Sequence, residues 1–106
     1  MTTLSTHVLD QELGVPARGV RVALFRGDQL VTQAETNSDG RIADFGALEP
    51  GSYRLEFELA TYLKSQGRAA PFLQRVRVDF LLEDGQPHYH IPVLMTAYAC
   101  TTYRGS

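Results

Sequence analysis

Several things are scarce in this 106-residue chain, and each scarcity closes off a class of protein. There is one cysteine, Cys100, so no disulfide forms within the chain and the fold does not depend on an oxidising compartment. One cysteine and three histidines are too few for a closed structural zinc site unless carboxylates complete it. No apolar run approaches the length that spans a bilayer. No block of like charge occurs either. Ten basic and twelve acidic side chains leave a formal net charge of −2, which argues against a nucleic-acid footprint or a polybasic membrane patch. The first residues, Met1-Thr2-Thr3, carry no basic or apolar leader character, and internal repeats and low-complexity stretches are absent. The expectation is one soluble, cytoplasmic domain over residues 1–106, long enough for a single core.

What the chain does have is punctuation. Gly14 to Gly19, Arg26-Gly27-Asp28, Asn37-Ser38-Asp39-Gly40, Glu49-Pro50-Gly51 and Glu83-Asp84-Gly85 are turn signals. Between them the apolar residues alternate. Val20, Val22 and Leu24 form one apolar face, and Leu30-Val31-Thr32 continues as the second arm of a hairpin. Tyr53, Leu55 and Phe57 alternate with polar neighbours, as do Val76, Val78 and Phe80. One stretch changes period: Leu59, Tyr62 and Leu63 sit at i, i+3 and i+4 before Gly67, which predicts a short helix over 58–66. About eight strands with one brief helix predict an all-β, two-sheet sandwich.

The chemistry-bearing residues lie at the two ends. In Leu4-Ser5-Thr6-His7-Val8, the apolar face is Leu4, Thr6 and Val8, so His7 points the other way with Ser5 and Leu9. In His88-Tyr89-His90-Ile91-Pro92-Val93-Leu94-Met95, the core set is Ile91, Val93 and Met95, which turns His90 outward with His88, Pro92 and Leu94. His88 and His90 share a face at i and i+2, but a metal site needs a third ligand, for which His7 is the only remaining histidine, and the pattern supplies no nearby carboxylate. His88 takes the plainer role of a solvated strand-end histidine. An outward face that still carries Leu9 and Leu94 looks like a surface covered by another subunit.

Residues 13 to 57 resemble the prealbumin-like sandwich modules found on carboxypeptidases and surface proteins. A closer resemblance spans essentially the whole chain. Ser5-Thr6-His7-Val8-Leu9-Asp10, Thr36-Asn37-Ser38-Asp39-Gly40-Arg41, His88-Tyr89-His90-Ile91-Pro92-Val93-Leu94 and the terminal Tyr103-Arg104-Gly105-Ser106 look like the transthyretin-related 5-hydroxyisourate hydrolases. The tetrapeptide at 103–106 is the most specific element. The resemblance implies a transthyretin-like sandwich in which the first strand lies between the short strand after Gly40 and the strand bearing His90, with the C-terminal strand at the far edge. That order brings Arg41, His7, His90 and Tyr103 onto neighbouring strands, about 10 Å across three strands. It also implies a homotetramer, a dimer of dimers, whose facing sheets enclose a central channel.

The reaction so implied is hydrolytic opening of a cyclic amide C–N bond in 5-hydroxyisourate, with no cofactor and no metal. The residue types suit it. Histidine titrates near the pH at which a general base works best, so His7 and His90 share the proton handling, in an order the sequence leaves open. Arg41 offers a permanently charged fork for ring carbonyls and developing oxyanion charge. Thr101, Tyr103 and Ser106 add hydrogen bonds to a small polar substrate. Cys100 alternates to the opposite face and is read as packing. The approach to the tetrapeptide, Ala97 to Thr102, and the segment Ala70-Pro71-Phe72-Leu73 depart from the usual pattern, which touches local loop shape rather than the site. The alternative is a small-ligand carrier using the same channel. Carriers are expected to lack the histidines, Arg41 and the terminal tetrapeptide.

Overall fold

The turn signals separate nine strands and one helix in the computed structural model, which describes all of residues 1–106. In chain order these are β1 (Thr3–Asp10), β2 (Val15–Pro16), β3 (Arg21–Arg26), β4 (Gln29–Glu35) and β5 (Arg41–Ile42). They continue as β6 (Gly51–Glu58), α1 (Leu59–Ser65), β7 (Arg75–Leu82), β8 (His88–Met95) and β9 (Cys100–Thr102). One sheet runs β2-β1-β8-β9 with β5 also paired to β1, and the other runs β4-β3-β6-β7. The strand count exceeds eight because Val15–Pro16, just past the Gly14 turn, pairs with Leu9 and Asp10. Two residues are too few to show a period in the sequence.

The alternation predicted along each strand is met. Leu4, Thr6 and Val8 are fully buried, as are Val22, Leu24, Leu55 and Phe57 from the opposite sheet. Tyr89, Ile91, Val93 and Met95 complete the inward face of β8. Thr6 is the polar member of that face, and its hydroxyl donates to the Ile91 carbonyl at 2.6 Å, so nothing polar is stranded. Cys100 is half-buried against the core, and burial raises its thiol above the ordinary range, consistent with packing. No helix is long and apolar enough to cross a membrane.

α1 falls inside the predicted 58–66 span. Seven residues without a side-chain N-cap do not hold a helix alone; burial of Leu59, Ala60, Tyr62 and Leu63 does. The same helix anchors the end of β1. Asp10, almost wholly buried, accepts a hydrogen bond from the Tyr62 hydroxyl at 2.9 Å and an ion pair from Arg68. Its other oxygen takes the backbone N–H groups of Glu12 and Leu13. Glu12 in turn accepts the Ala97 N–H at 2.6 Å, tying this corner to the segment after β8. The strand that carries His7 is therefore fixed at its far end by a satisfied polar cluster.

Candidate active site

The site grows from the central pairing of β1 with β8. These two strands run parallel, with Thr3 opposite His88, Ser5 opposite His90 and His7 opposite Pro92. Their outward faces form one surface carrying Thr3, Ser5, His7 and Leu9 beside His88, His90, Pro92 and Leu94. His7 and His90 lie diagonally across it, roughly 8 Å apart between strand positions by ordinary sheet spacings. Both are half-buried.

Arg41 reaches this surface through a tight turn. The Asn37 side chain accepts the N–H groups of Asp39 and Arg41 at 2.9 and 3.0 Å, and the Gly40 N–H returns to the Asn37 carbonyl. Gly40 has φ +73° and packs so closely on β1 that a Cβ there would stand 2.4 Å from the Val8 carbonyl oxygen. The Gly40 carbonyl accepts the Val8 N–H at 2.7 Å. The next residue, Arg41, pairs directly with His7. The predicted strand order is met: β5, β1 and β8 stand side by side, with β9 beyond.

The C-terminal segment completes the surface with one correction. Thr101 pairs with Leu94 and Thr102 with Val93. Carried one step further, that register puts Tyr103 opposite Pro92, where the proline has no N–H to give. The ladder breaks there, and the Pro92 carbonyl accepts the Thr102 hydroxyl at 2.9 Å. Tyr103 thus lies just past β9 and not on it, although the register still places it on the side of His90. Arg104 turns the opposite way and stacks its guanidinium 4.3 Å from the centre of the Tyr89 ring. Pairing resumes at Gly105, whose N–H donates to the His90 carbonyl at 2.7 Å. A Cβ on Gly105 would stand 2.8 Å from Cδ2 of His90 and 3.1 Å from Cγ of Pro92, so only glycine brings the tail this close to the imidazole. Ser106 follows, exposed.

A second correction concerns His88. It is exposed, as expected of a strand end, yet both ring nitrogens are engaged. Nδ1 lies 2.6 Å from Oγ1 of Thr3 and Nε2 lies 2.9 Å from Oγ of Ser5. The same Ser5 hydroxyl lies 2.7 Å from Nδ1 of His90. The parallel register causes this: it sets each outward hydroxyl of β1, Thr3 and Ser5, beside a histidine of β8. With Nδ1 occupied, Nε2 is the His90 nitrogen left for a ligand. Burial, then the charge of Arg41 and the nearby His7 and His88, push the His90 imidazole below the ordinary histidine range. A hydrogen bond with the Ser5 backbone pulls the other way and does not win. His90 is therefore neutral near pH 7, able to accept or donate one proton.

Periodicity turned His7 and His90 outward, and the resemblance supplied their shared face together with Arg41, Thr101, Tyr103 and Ser106. Ser5 was not assigned a part in the site, and Gly105 entered only as a member of the terminal tetrapeptide. The face of Ser5 is readable from alternation, but its partner is set by a register between strands some eighty residues apart.

A two-sheet sandwich whose outward sheet face brings two histidines and an arginine onto neighbouring strands carries a candidate acid–base site, built on strands rather than loops. The chain belongs to the HIUase/transthyretin family, whose profile matches residues 4–105. It is 48% identical over 113 residues to the 5-hydroxyisourate hydrolase of Deinococcus radiodurans, covering 97% of this chain and 95% of that one. The solved structure of Klebsiella pneumoniae 5-hydroxyisourate hydrolase superposes with a TM-score of 0.92 at 42% identity, over the full length of both chains. Sea bream transthyretin in complex with thyroxine shares the fold at a TM-score of 0.87 and 26% identity, covering 96% and 93% of the two chains.

Proposed function

We infer that this protein hydrolyses 5-hydroxyisourate in urate breakdown. The observation that carries the reading is the outward His7–Arg41–His90 set, in a chain that matches hydrolases of that substrate from end to end. Amide hydrolysis breaks an O–H bond of water and the ring C–N bond, and it forms a C–O bond and an N–H bond. The new carboxyl then ionises near neutral pH, so one net proton leaves per turnover. His7 and His90 carry the proton traffic: one accepts from the attacking water and the other serves the departing nitrogen. Arg41, beside His7, meets the carbonyl oxygen as negative charge develops on it. Thr101, Tyr103 and Ser106 hold the polar rim of the substrate.

The working unit in this reading is a homotetramer, a dimer of dimers in the cytoplasm, with the outward sheets facing one another. Leu9 and Leu94, half-buried on the same face as the histidines, support a covered surface there. Enclosure strengthens each charge and hydrogen bond aimed at the substrate. The test is direct: 5-hydroxyisourate is made in place by a urate oxidase, and its absorbance decay is followed with and without the protein. Acceleration over spontaneous decay is expected. Its absence, with a small ligand bound instead, would favour the carrier reading. Sedimentation at working concentrations checks the tetramer, and a stable monomer with full activity would remove it.

A further inference from the structure

We propose that Ser5 and His88 form a proton wire connecting His90 to bulk water. The proposal rests on the hydrolase reading above and concerns how that site resets. Three hydrogen bonds stand in series, from Thr3 to His88, from His88 to Ser5 and from Ser5 to His90, at 2.6, 2.9 and 2.7 Å. Every group in this series both donates and accepts, because a hydroxyl and a neutral imidazole each have one proton and a free lone pair.

The series has two self-consistent polarities. In one, Thr3 donates to His88 Nδ1, His88 Nε2 donates to Ser5, and Ser5 donates to His90 Nδ1. His90 then carries its proton on Nε2, facing the site. In the other, His90 Nδ1 donates to Ser5, Ser5 donates to His88 Nε2, and His88 Nδ1 donates to Thr3, leaving a bare Nε2 toward the site. The Thr3 hydroxyl has an outlet in that polarity, since the Pro87 carbonyl lies 3.4 Å away. Switching from the first polarity to the second delivers one proton from His90 Nε2, while the Thr3 hydroxyl passes its proton to His88 Nδ1 and takes one from water. Switching back removes one from the site, and Thr3 takes the proton of His88 Nδ1 and releases one to water. The wire therefore serves His90 whether it acts as the acid or the base.

Two features make such a path useful. His90 is half-buried and flanked by Gly105 and Pro92, whereas His88 at the start of β8 is exposed. The groups whose charge acts on His90 are Arg41 from β5, His7 from β1 and His88 from its own strand. None is a carboxylate that would store the proton. A second imidazole linked by one hydroxyl is then the group in the structure that joins His90 to solvent.

Ser5 and His88 act through His90 and are positioning residues, so the test reads something that a loss of packing does not move. Wild type, Ser5→Ala and His88→Ala are compared for 5-hydroxyisourate decay in weak buffer, with and without added imidazole, after thermal melts show that each variant is folded. Wild type should be insensitive to imidazole. His88→Ala should lose about 10- to 100-fold in kcat with KM little changed, within the range for a general acid–base contribution. Imidazole at millimolar concentrations should restore much of the His88→Ala rate, by replacing the missing ring at the exposed end. Ser5→Ala should lose as much and recover less, since its break lies inside the chain. A folded His88→Ala variant with wild-type kcat, or one whose loss does not respond to imidazole, would overturn the wire and leave the hydrolase reading standing. A wild-type protein that does not accelerate the decay would remove that reading and the wire with it.

Discussion

Replacing Gly40 by alanine tests whether the turn before β5 places Arg41 for catalysis. Two costs follow from the structure. The residue sits at φ +73°, a conformation that costs an L-residue about 1–2 kcal/mol. The added Cβ also starts 2.4 Å from the Val8 oxygen and must retreat by at least about 0.6 Å to reach 3.0 Å. The two nearest atoms are backbone, so the turn itself must shift, carrying Arg41 away from His7. The first cost alone, about 1–2 kcal/mol, leaves a typical domain folded and lowers Tm by roughly 5–10 °C. A displacement approaching 1 Å at a catalytic group costs up to about 100-fold in rate, so kcat/KM should fall by roughly 10- to 100-fold. The assays are a thermal melt and the decay of 5-hydroxyisourate in the same buffer. In an Arg41→Gln background the Gly40→Ala change should lower activity little further, because both act through one guanidinium. A folded Gly40→Ala protein with wild-type kcat/KM would refute the positioning role, as would full additivity with Arg41→Gln.

Two other outcomes follow from the polar groups around β1. Burial raises the Asp10 carboxyl, but the hydrogen bonds from Arg68, Tyr62 and the Leu13 N–H and the charge of Arg68 bring it below the usual carboxylate range. Its folded-state value is thus below the unfolded one. The stability it contributes is fully present above the unfolded value near pH 4 and is lost as pH falls through the folded value. Asp10→Asn should cost about 3 kcal/mol at pH 7, the low end for a broken buried pair because Arg68 keeps 21% of its side-chain surface in water. Urea melts from pH 2 to 7 check both, and an Asp10→Asn protein with the wild-type acid slope would contradict the account. For His90, removing the neighbouring charge by Arg41→Gln should raise its titration midpoint while leaving it below an ordinary histidine, since burial is the larger cause. NMR titration of the labelled imidazole reads this directly, and an unmoved midpoint would show that Arg41 does not act on His90.

Much of this architecture was legible because one face of each strand is buried. Leu4, Thr6 and Val8, like Ile91, Val93 and Met95, announce which side is core, and that alone turns His7 and His90 outward. The Asn37-to-Gly40 turn likewise carries its own chemistry in four residues. What stayed hidden depends on quantities a period does not encode. Alternation gives the face of Ser5 but not its offset along β8, so its bond to His90 appears only once the parallel register is known. Tyr103 left the ladder because Pro92 has no N–H, a consequence of who its partner is. Gly105 belongs to the tetrapeptide that carries the resemblance, but its close approach to the His90 ring shows only in the structure. Asp10 and Arg68 are fifty-eight residues apart, and no local pattern pairs them.

The central claim is that the outward histidine pair catalyses opening of 5-hydroxyisourate, and one side-by-side decay measurement tests it most directly. Freshly generated 5-hydroxyisourate is followed by absorbance alone, with wild type, and with folded His7→Ala and His90→Ala proteins at equal concentration. The account predicts fast decay with wild type and decay near the spontaneous rate with either variant. Wild type no faster than the spontaneous reaction, or either variant as fast as wild type, would contradict it.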